Sequence, residues 1–131
     1  MAIQIKTLDQ LKTMRRAGLL VGQTLDLLRS SIKVGMRTDA LDAIAAANIK
    51  RGGGTSNFLG YHGYPATICI SINDEIVHGI PGDRIIEDGD VVSIDCGAII
   101  DGWHGDAAFS YGVGNVDPHD QKMMDVCEES M

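Results

Sequence analysis

Two aspartates lie on either side of a strong turn signal, at a spacing that could place both carboxylates on one face of a hairpin. Asp101-Gly102 is typical of a two-residue β-turn, and the flanking stretches are rich in apolar residues. If this pair forms the turn, Gly97 lies directly opposite Asp106. Because side chains alternate along a strand, Asp95 then projects from the same face as Asp106. The spacing therefore predicts two neighbouring carboxylates.

Carboxylates held close together in a partly apolar sheet repel each other unless they are protonated or bound to cations. Hard divalent metals take carboxylate oxygens well, so Asp95 and Asp106 are candidate metal ligands. His104 lies two residues before Asp106 and is a further candidate from spacing alone. The plainer alternative is a pair of aspartates on an edge strand in water.

Two other segments could contribute to a site. His78 lies within Glu75–Pro81, and a single histidine of this kind is more often a surface residue or a satisfied core residue. Tyr61–Pro65 is an aromatic, glycine-rich loop. Such a loop can line a binding pocket, although a packed loop without a binding role is as good an interpretation.

Composition limits the classes of protein to be considered. The 131 residues carry a formal net charge of −7, which argues against nucleic acid as a partner, because phosphate binding needs clustered Lys and Arg. Cys69, Cys96 and Cys127 are far apart and odd in number, so they predict neither a disulfide framework nor a structural zinc site. A cytoplasmic setting is expected, with no signal peptide and no membrane span.

Helix signals occur near both ends of the sequence. Thr7 and Gln10 have the form of a capping box before a helix predicted over Leu8–Ser30. Thr38 is expected to cap a second helix that ends at Gly52–Gly54. Asp117-Pro118 predicts the start of a third helix.

Strand signals fill the middle of the sequence. Ile68–Ile72 alternates apolar and polar residues, and Glu75–Ile80 is expected to be a short extended piece. Val91–Ile100 and Trp103–Tyr111 are the predicted arms of the hairpin. The expected fold class is α+β, an antiparallel sheet with helices packed on one face, in a single domain over 1–131.

Four stretches together resemble the methionine aminopeptidases of the pita-bread metallopeptidase family, most closely the short bacterial type I enzymes. Order and spacing both agree, including the step from Asp95 to Asp106. The resemblance covers essentially the whole chain. The matching stretches are Leu59–Pro65, Ile70–Pro81, Gly89–Asp95 and Asp101–Asp106.

The resemblance implies a role for particular residues. Asp95 would be a bidentate ligand of one metal and Asp106 would bridge two, whereas His104 is not a ligand in the family. His78 would be catalytic and substrate-binding, contacting the scissile peptide or its tetrahedral intermediate. The remaining substrate-binding residues would line the methionine pocket: Phe58, Tyr61, Tyr64, Cys69 and Trp103.

The function implied by the resemblance is removal of the N-terminal methionine from new proteins and peptides, with nascent chains at the ribosome as possible partners. The cofactor would be two divalent ions of the Co, Mn, Fe or Zn class.

Family members run to about twice this length, and their second half supplies the other ligands. The chain is therefore expected to be the N-terminal half, inactive alone and prone to self-association. A non-catalytic peptide-binding relative and a proline-specific dipeptidase are the alternatives.

Overall fold

The computed structural model describes residues 3–131 as three helices and a four-stranded antiparallel sheet. The helices are α1 (Leu8–Ser31), α2 (Thr38–Arg51) and α3 (Pro118–Glu129). The strands are β1 (Thr55–Ser56), β2 (Ile68–Ile72), β3 (Val91–Ile100) and β4 (Trp103–Gly112). A short 3₁₀ turn, Tyr61–Gly63, lies between β1 and β2. The two-residue strand β1 was not predicted.

β3 is the central strand of the sheet. β1 and β2 pair with successive parts of one edge of β3, and β4 pairs along its other edge. Ile100 pairs with Trp103 and Gly97 pairs with Asp106, so the predicted hairpin register is confirmed. Asp101 and Gly102 both have positive φ, as a type I′ turn requires.

One face of the sheet is buried beneath α1 and α2. Val92, Ile94 and Cys96 alternate along β3 and are fully buried in the core that also contains Leu28 and Leu41. This alternation assigns the even-numbered residues of β3 to the helix-covered face. The odd-numbered residues of β3, including Asp95, project from the opposite face.

A glycine sets how closely α1 approaches the sheet. A Cβ at Gly105 on β4 would lie 2.6 Å from the carbonyl carbon of Ala17 and 2.6 Å from the nitrogen of Gly18. Because those atoms belong to the backbone of α1, no side-chain rotation could relieve the contact. The helix therefore packs directly on the strand that carries Asp106.

The helix ends test the capping predictions. Thr7 and Gln10 form the predicted capping box, and the Asp117 side chain accepts a hydrogen bond from the backbone N–H of His119. Thr38 is not an N-cap: the cap residue is Arg37, and Thr38 is the first helical residue. The Thr38 hydroxyl instead bonds to both the backbone oxygen and the backbone nitrogen of Gly82, which explains why it is unavailable for capping.

Glu75–Ile80 is irregular rather than an extended strand. His78 has a φ of 59°, in the left-handed region, which breaks the extended geometry. The segment is still attached to β2, since the Ile70 N–H donates to the Gly79 carbonyl and the Gly79 N–H donates to the Ser71 hydroxyl. Gly79 is therefore the residue through which this segment is hydrogen-bonded to β2.

α3 lies against β4 and buries none of its own residues. Met123 and Val126 are 56 % and 55 % exposed. These two apolar side chains of α3 are therefore open to solvent. None of the helices within residues 3–131 is both long enough and apolar enough to cross a membrane.

Candidate metal centre and adjoining pocket

Asp95 and Asp106 project from the same face of the β3–β4 hairpin. Asp95 pairs with Ala108, and Asp106 pairs with Gly97, two residues along from Asp95. Burial raises the pKa of the Asp95 carboxyl above its ordinary value, and the charge of Asp106 raises it further, while His78 acts in the opposite direction. The predicted convergence of the two carboxylates is confirmed.

The Asp95 carboxylate has a buried oxygen without a partner. Oδ1 is shielded from solvent and accepts no hydrogen bond from any of residues 3–131. A buried acceptor in this state is costly unless a donor or a cation meets it. The observation fits a cation at this position better than it fits the alternative of an aspartate solvated by water.

The space in front of Gly97, opposite Asp106, is filled. A Cβ built at Gly97 would lie 2.5 Å from Nδ2 and 2.8 Å from Oδ1 of Asn57. The Asn57 carboxamide therefore lies over this glycine. Asn57 directly follows β1, and its N–H donates to the Gly97 carbonyl at 3.4 Å.

A cavity of about 540 Å³ adjoins Asp95. The sequence-predicted pocket residues Phe58, Tyr61, Tyr64, Cys69 and His78 all contribute to its wall together with Asp95. His62, Gly63, Pro65 and Ile80 complete the lining. Residues from the loop after β1, from β2 and from the loop after β2 thus meet beside the acidic pair.

Tyr64 connects two parts of the pocket wall. Its hydroxyl lies 3.1 Å from the Ile68 carbonyl and 3.1 Å from the Gly79 carbonyl. The Phe58 and Tyr64 rings meet edge to face, with centroids 6.4 Å apart. Burial raises the pKa of the Tyr64 phenol, so the hydroxyl remains protonated as a donor.

Asp42 on α2 fixes the start of β2 behind the pocket. Its Oδ1 accepts the backbone N–H of Thr67 at 2.8 Å and that of Ile68 at 2.9 Å. Both of these residues are buried, so the carboxylate satisfies two amides that water does not reach. The helix layer thereby positions the strand that carries Cys69.

Cys69 lies next to Asp95 because the two residues are cross-strand partners in the β2–β3 ladder. The thiol is buried, and this burial, more than any neighbouring charge, raises its pKa above the ordinary value. Asp95 and Asp106 act in the same direction. A neutral thiol suits the wall of an apolar pocket and makes Cys69 a poor nucleophile.

His78 occupies the rim of the same cavity. The positive φ of this residue turns the chain toward Gly79, whose missing side chain allows the backbone to lie against the Ile70 carbonyl. His78 is exposed, and its charge acts on the pKa of Asp95, so the two side chains belong to one electrostatic site.

Trp103 is not part of this pocket, and its predicted place there is corrected. It pairs with Ile100, which puts its side chain on the helix-covered face of the hairpin, opposite to Asp95. Its ring lies 5.3 Å from the Lys6 ammonium. The family resemblance had assigned Trp103 to the pocket by its place in the sequence, without considering which face of the sheet it lies on.

His104 shares the Asp106 face but forms no metal cluster with it. Within residues 3–131 there is no group of three or more His, Cys, Asp and Glu side chains placed to hold a metal ion together. Asp95 and Asp106 therefore fit a metal as two ligands of a larger set. Their oxygen chemistry suits a divalent ion, and the unpartnered Asp95 oxygen is available to it.

Sequence reasoning missed Asn57 and Ile80. Asn57 precedes Phe58 in the sequence, but nothing in the local pattern indicates that its side chain lies over Gly97. The two residues are about forty positions apart in the sequence and come together only when the sheet forms. Ile80 lies at the end of the segment expected to be extended. Its place in the pocket depends on the left-handed turn at His78.

Comparisons with known proteins give a consistent result. A family model described as metallopeptidase family M24 matches residues 12–131. Methionine aminopeptidase 1 of Bacillus subtilis is 48 % identical over 126 residues, which are 96 % of this chain and 51 % of the relative. The chain spans about half the length of the curated relatives it matches.

Solved structures with the same fold extend this result. The methionine aminopeptidase from Rickettsia prowazekii superposes with a TM-score of 0.94 at 35 % identity, over 98 % of this chain and 52 % of that one. The prolidase from Pyrococcus furiosus superposes with a TM-score of 0.79 at 20 % identity, over 95 % of this chain and 36 % of that one. The second likeness is one of fold alone.

Proposed function

The chain belongs to metallopeptidase family M24, and from this premise we propose that it forms the N-terminal part of a methionine aminopeptidase. The observation that carries the proposal is the placement of Asp95 beside both Asp106 and the 540 Å³ pocket. A metal-binding pair next to an apolar cavity is the arrangement needed to cut one bond beside one recognised side chain.

The expected fold class is confirmed. The antiparallel sheet covered by α1 and α2 makes an α+β fold. It superposes on about half the length of each of two solved methionine aminopeptidases, which have the pita-bread fold. This half would supply Asp95, Asp106 and His78, and the proposed activity belongs to the whole protein. The proline-specific alternative has only the shared fold in its favour.

In the proposed site Asp95 and Asp106 hold the metal. Family membership implies a divalent ion; that there are two, and of the Co, Mn, Fe or Zn class, is part of the proposal. When bound, such ions lower the pKa of a coordinated water and polarise a substrate carbonyl. The buried Oδ1 of Asp95 supports this role, because it has no hydrogen-bond partner within residues 3–131.

His78 is the proposed catalytic residue of this half. It lies at the rim of the pocket beside Asp95, where the bond after a bound N-terminal residue would lie. From there its imidazole N–H donates to the peptide or to the oxyanion that forms from its carbonyl. Donors aimed at a developing negative charge are commonly worth about 3–4 kcal/mol in barrier height.

Phe58, Tyr61, Tyr64 and Cys69 are the proposed methionine-binding residues. Aromatic edges and a neutral thiol make favourable contacts with a thioether. The cavity of about 540 Å³ lies in the ordinary size range of small-molecule sites. Trp103 has no part in this pocket, since it lies on the other face of the sheet.

The proposed partners are peptides that begin with methionine and nascent chains at the ribosome, in the cytoplasm. The net charge of −7 gives no basis for binding nucleic acid. The exposed apolar residues of α3, Met123 and Val126, support self-association of the isolated chain.

The proposal is tested by methionine release from a Met-Ala-Ser peptide by the full-length protein with added Co²⁺ or Mn²⁺. We expect turnover that is abolished by Asp106→Asn and strongly reduced in kcat by His78→Ala. A peptide starting with Leu-Ala-Ser is the substrate control, and a peptide with proline at the second position separates the dipeptidase alternative. Metal-independent turnover, or unchanged activity of Asp106→Asn, would refute the proposal.

A further inference from the structure

Three residues form a row across the sheet on the metal-binding face: Asn57, Gly97 and Asp106. Gly97 on β3 is opposed on one side by Asp106, its ladder partner, and on the other by Asn57, which donates its N–H to the Gly97 carbonyl. A Cβ at Gly97 would collide with the Asn57 carboxamide. The Asn57 side chain therefore lies over the glycine, on the face of the sheet that carries Asp95 and Asp106.

Two buried oxygens on this face have no hydrogen-bond partner within residues 3–131. Among residues 3–131, only Oδ1 of Asn57 and Oδ1 of Asp95 are buried side-chain nitrogen or oxygen atoms with no hydrogen-bond partner. Both belong to residues that adjoin Gly97, one along β3 and one across the sheet. Since buried acceptors are nearly always satisfied, two together indicate a shared donor or cation.

We infer that Asn57 is a third oxygen donor to the divalent cation that Asp95 and Asp106 hold, an inference that rests on the proposed function. Amide carbonyl oxygens are ordinary ligands of hard divalent ions. Asn57 supplies such an oxygen without a third negative charge beside two carboxylates. Gly97 makes this possible, because any side chain there would displace the carboxamide.

The test measures the affinity of the purified full-length protein for Mn²⁺ by electron paramagnetic resonance of the free ion, with no dependence on activity. Asn57→Leu keeps the approximate shape and removes the oxygen, so we expect Mn²⁺ binding to weaken about tenfold. Asn57→Asp replaces the neutral oxygen by a charged one and should bind Mn²⁺ more tightly.

Ser93→Asp is the matched control for added charge. Ser93 lies on the same face of β3, two residues from Asp95 on the side away from Gly97, and pairs with Ser110. The Ser93→Asp substitution adds the same charge at a position outside the row of Asn57, Gly97 and Asp106. It should therefore change Mn²⁺ affinity much less than Asn57→Asp does. Equal effects of the two substitutions would overturn the inference.

Asp106→Asn separates this inference from the proposed function. If it weakens Mn²⁺ binding while Asn57→Leu binds like the wild type, the metal site stands and the role of Asn57 is wrong. If the wild type binds no Mn²⁺, or Asp106→Asn binds it equally well, both fall. Circular dichroism checks the fold of every variant, and Asn57→Ala replaces Asn57→Leu if the latter does not fold.

Discussion

Asp106 on β4 lies directly opposite Gly97 on β3, with the side chain of Asn57 folded over the glycine between β1 and β4. The glycine is required by this packing and not by its backbone conformation, since its φ is not among the positive values. The placement of the Asn57 carboxamide on the metal-binding face therefore depends on the absence of a side chain at position 97.

Gly97→Ala should therefore destabilise the chain and weaken metal binding. Its Cβ would lie 2.5 Å from Nδ2 of Asn57, so the carboxamide must move. Overpacking of this kind typically costs about 1–3 kcal/mol in the free energy of unfolding, measured by urea denaturation. Gly18→Ala on α1 is the control, because its Cβ would meet no atom of residues 3–131 within 4 Å. That variant should be neutral or about 0.5–1 kcal/mol more stable; equal losses in both variants would contradict the packing argument.

Tyr64→Phe should lower the free energy of unfolding by about 0.5–1.5 kcal/mol, the usual net value of one hydrogen bond. The lost hydroxyl bridges the Ile68 and Gly79 carbonyls, so the loop carrying His78 should also become more mobile. Urea denaturation gives the first effect and amide hydrogen exchange at Gly79 the second. Tyr61→Phe, at a residue that is 69 % exposed, should change stability by less than about 0.5 kcal/mol. A larger effect at Tyr61 than at Tyr64 would contradict this account of the pocket.

Stability should fall more steeply at alkaline pH in the wild type than in Tyr64→Phe. The pKa of Tyr64 is raised above its ordinary value of 10.0 in the folded chain, so the unfolded chain loses the phenol proton first. The folded state then binds more protons than the unfolded state, and stability decreases as pH rises through the unfolded pKa. Unfolding in urea from about pH 9 to 11 measures this effect. Identical pH slopes for the two proteins would show that the phenol is not buried as described.

Asp42→Ala should destabilise the chain by about 1–3 kcal/mol, because the buried N–H groups of Thr67 and Ile68 lose their acceptor. Asp42→Asn retains one amide oxygen at the same position and should lose clearly less. Thermal unfolding of both variants measures the difference. If the alanine and asparagine variants are equally stable, the acceptor role of Asp42 is wrong.

A polypeptide of these 131 residues should release methionine far more slowly than the full-length Bacillus subtilis relative. Each divalent ion requires about four to six ligands, and Asp95 and Asp106 supply few of them. The measurement is methionine release from Met-Ala-Ser with added Mn²⁺. Comparable turnover that is abolished by Asp106→Ala would show that this half is sufficient.

The hairpin could be predicted because its signals are local. Asp101-Gly102 fixes the turn, and strand alternation then places Asp95 and Asp106 on one face without further information. The same alternation assigns Trp103 to the opposite face. Its inclusion in the pocket came from the family resemblance and could have been rejected on the register alone.

Non-local contacts explain what the sequence did not reveal. β1 is only two residues long, so it has no readable periodicity, and Asn57 meets Gly97 only through the folded sheet. Thr38 has the sequence signature of a cap, but its hydroxyl is taken by Gly82. The left-handed conformation of His78 is unusual for a residue other than glycine, and it occurs just before Gly79, which is hydrogen-bonded to β2.

Anomalous diffraction from Mn²⁺-soaked crystals of the full-length protein tests the central claim most directly, because it locates the ion without assuming any activity. The account predicts a manganese peak in contact with the carboxylates of Asp95 and Asp106 and beside the carboxamide of Asn57. The peak should disappear in Asp106→Asn. A fully occupied manganese site elsewhere in the chain, with no peak between Asp95 and Asp106, would contradict it.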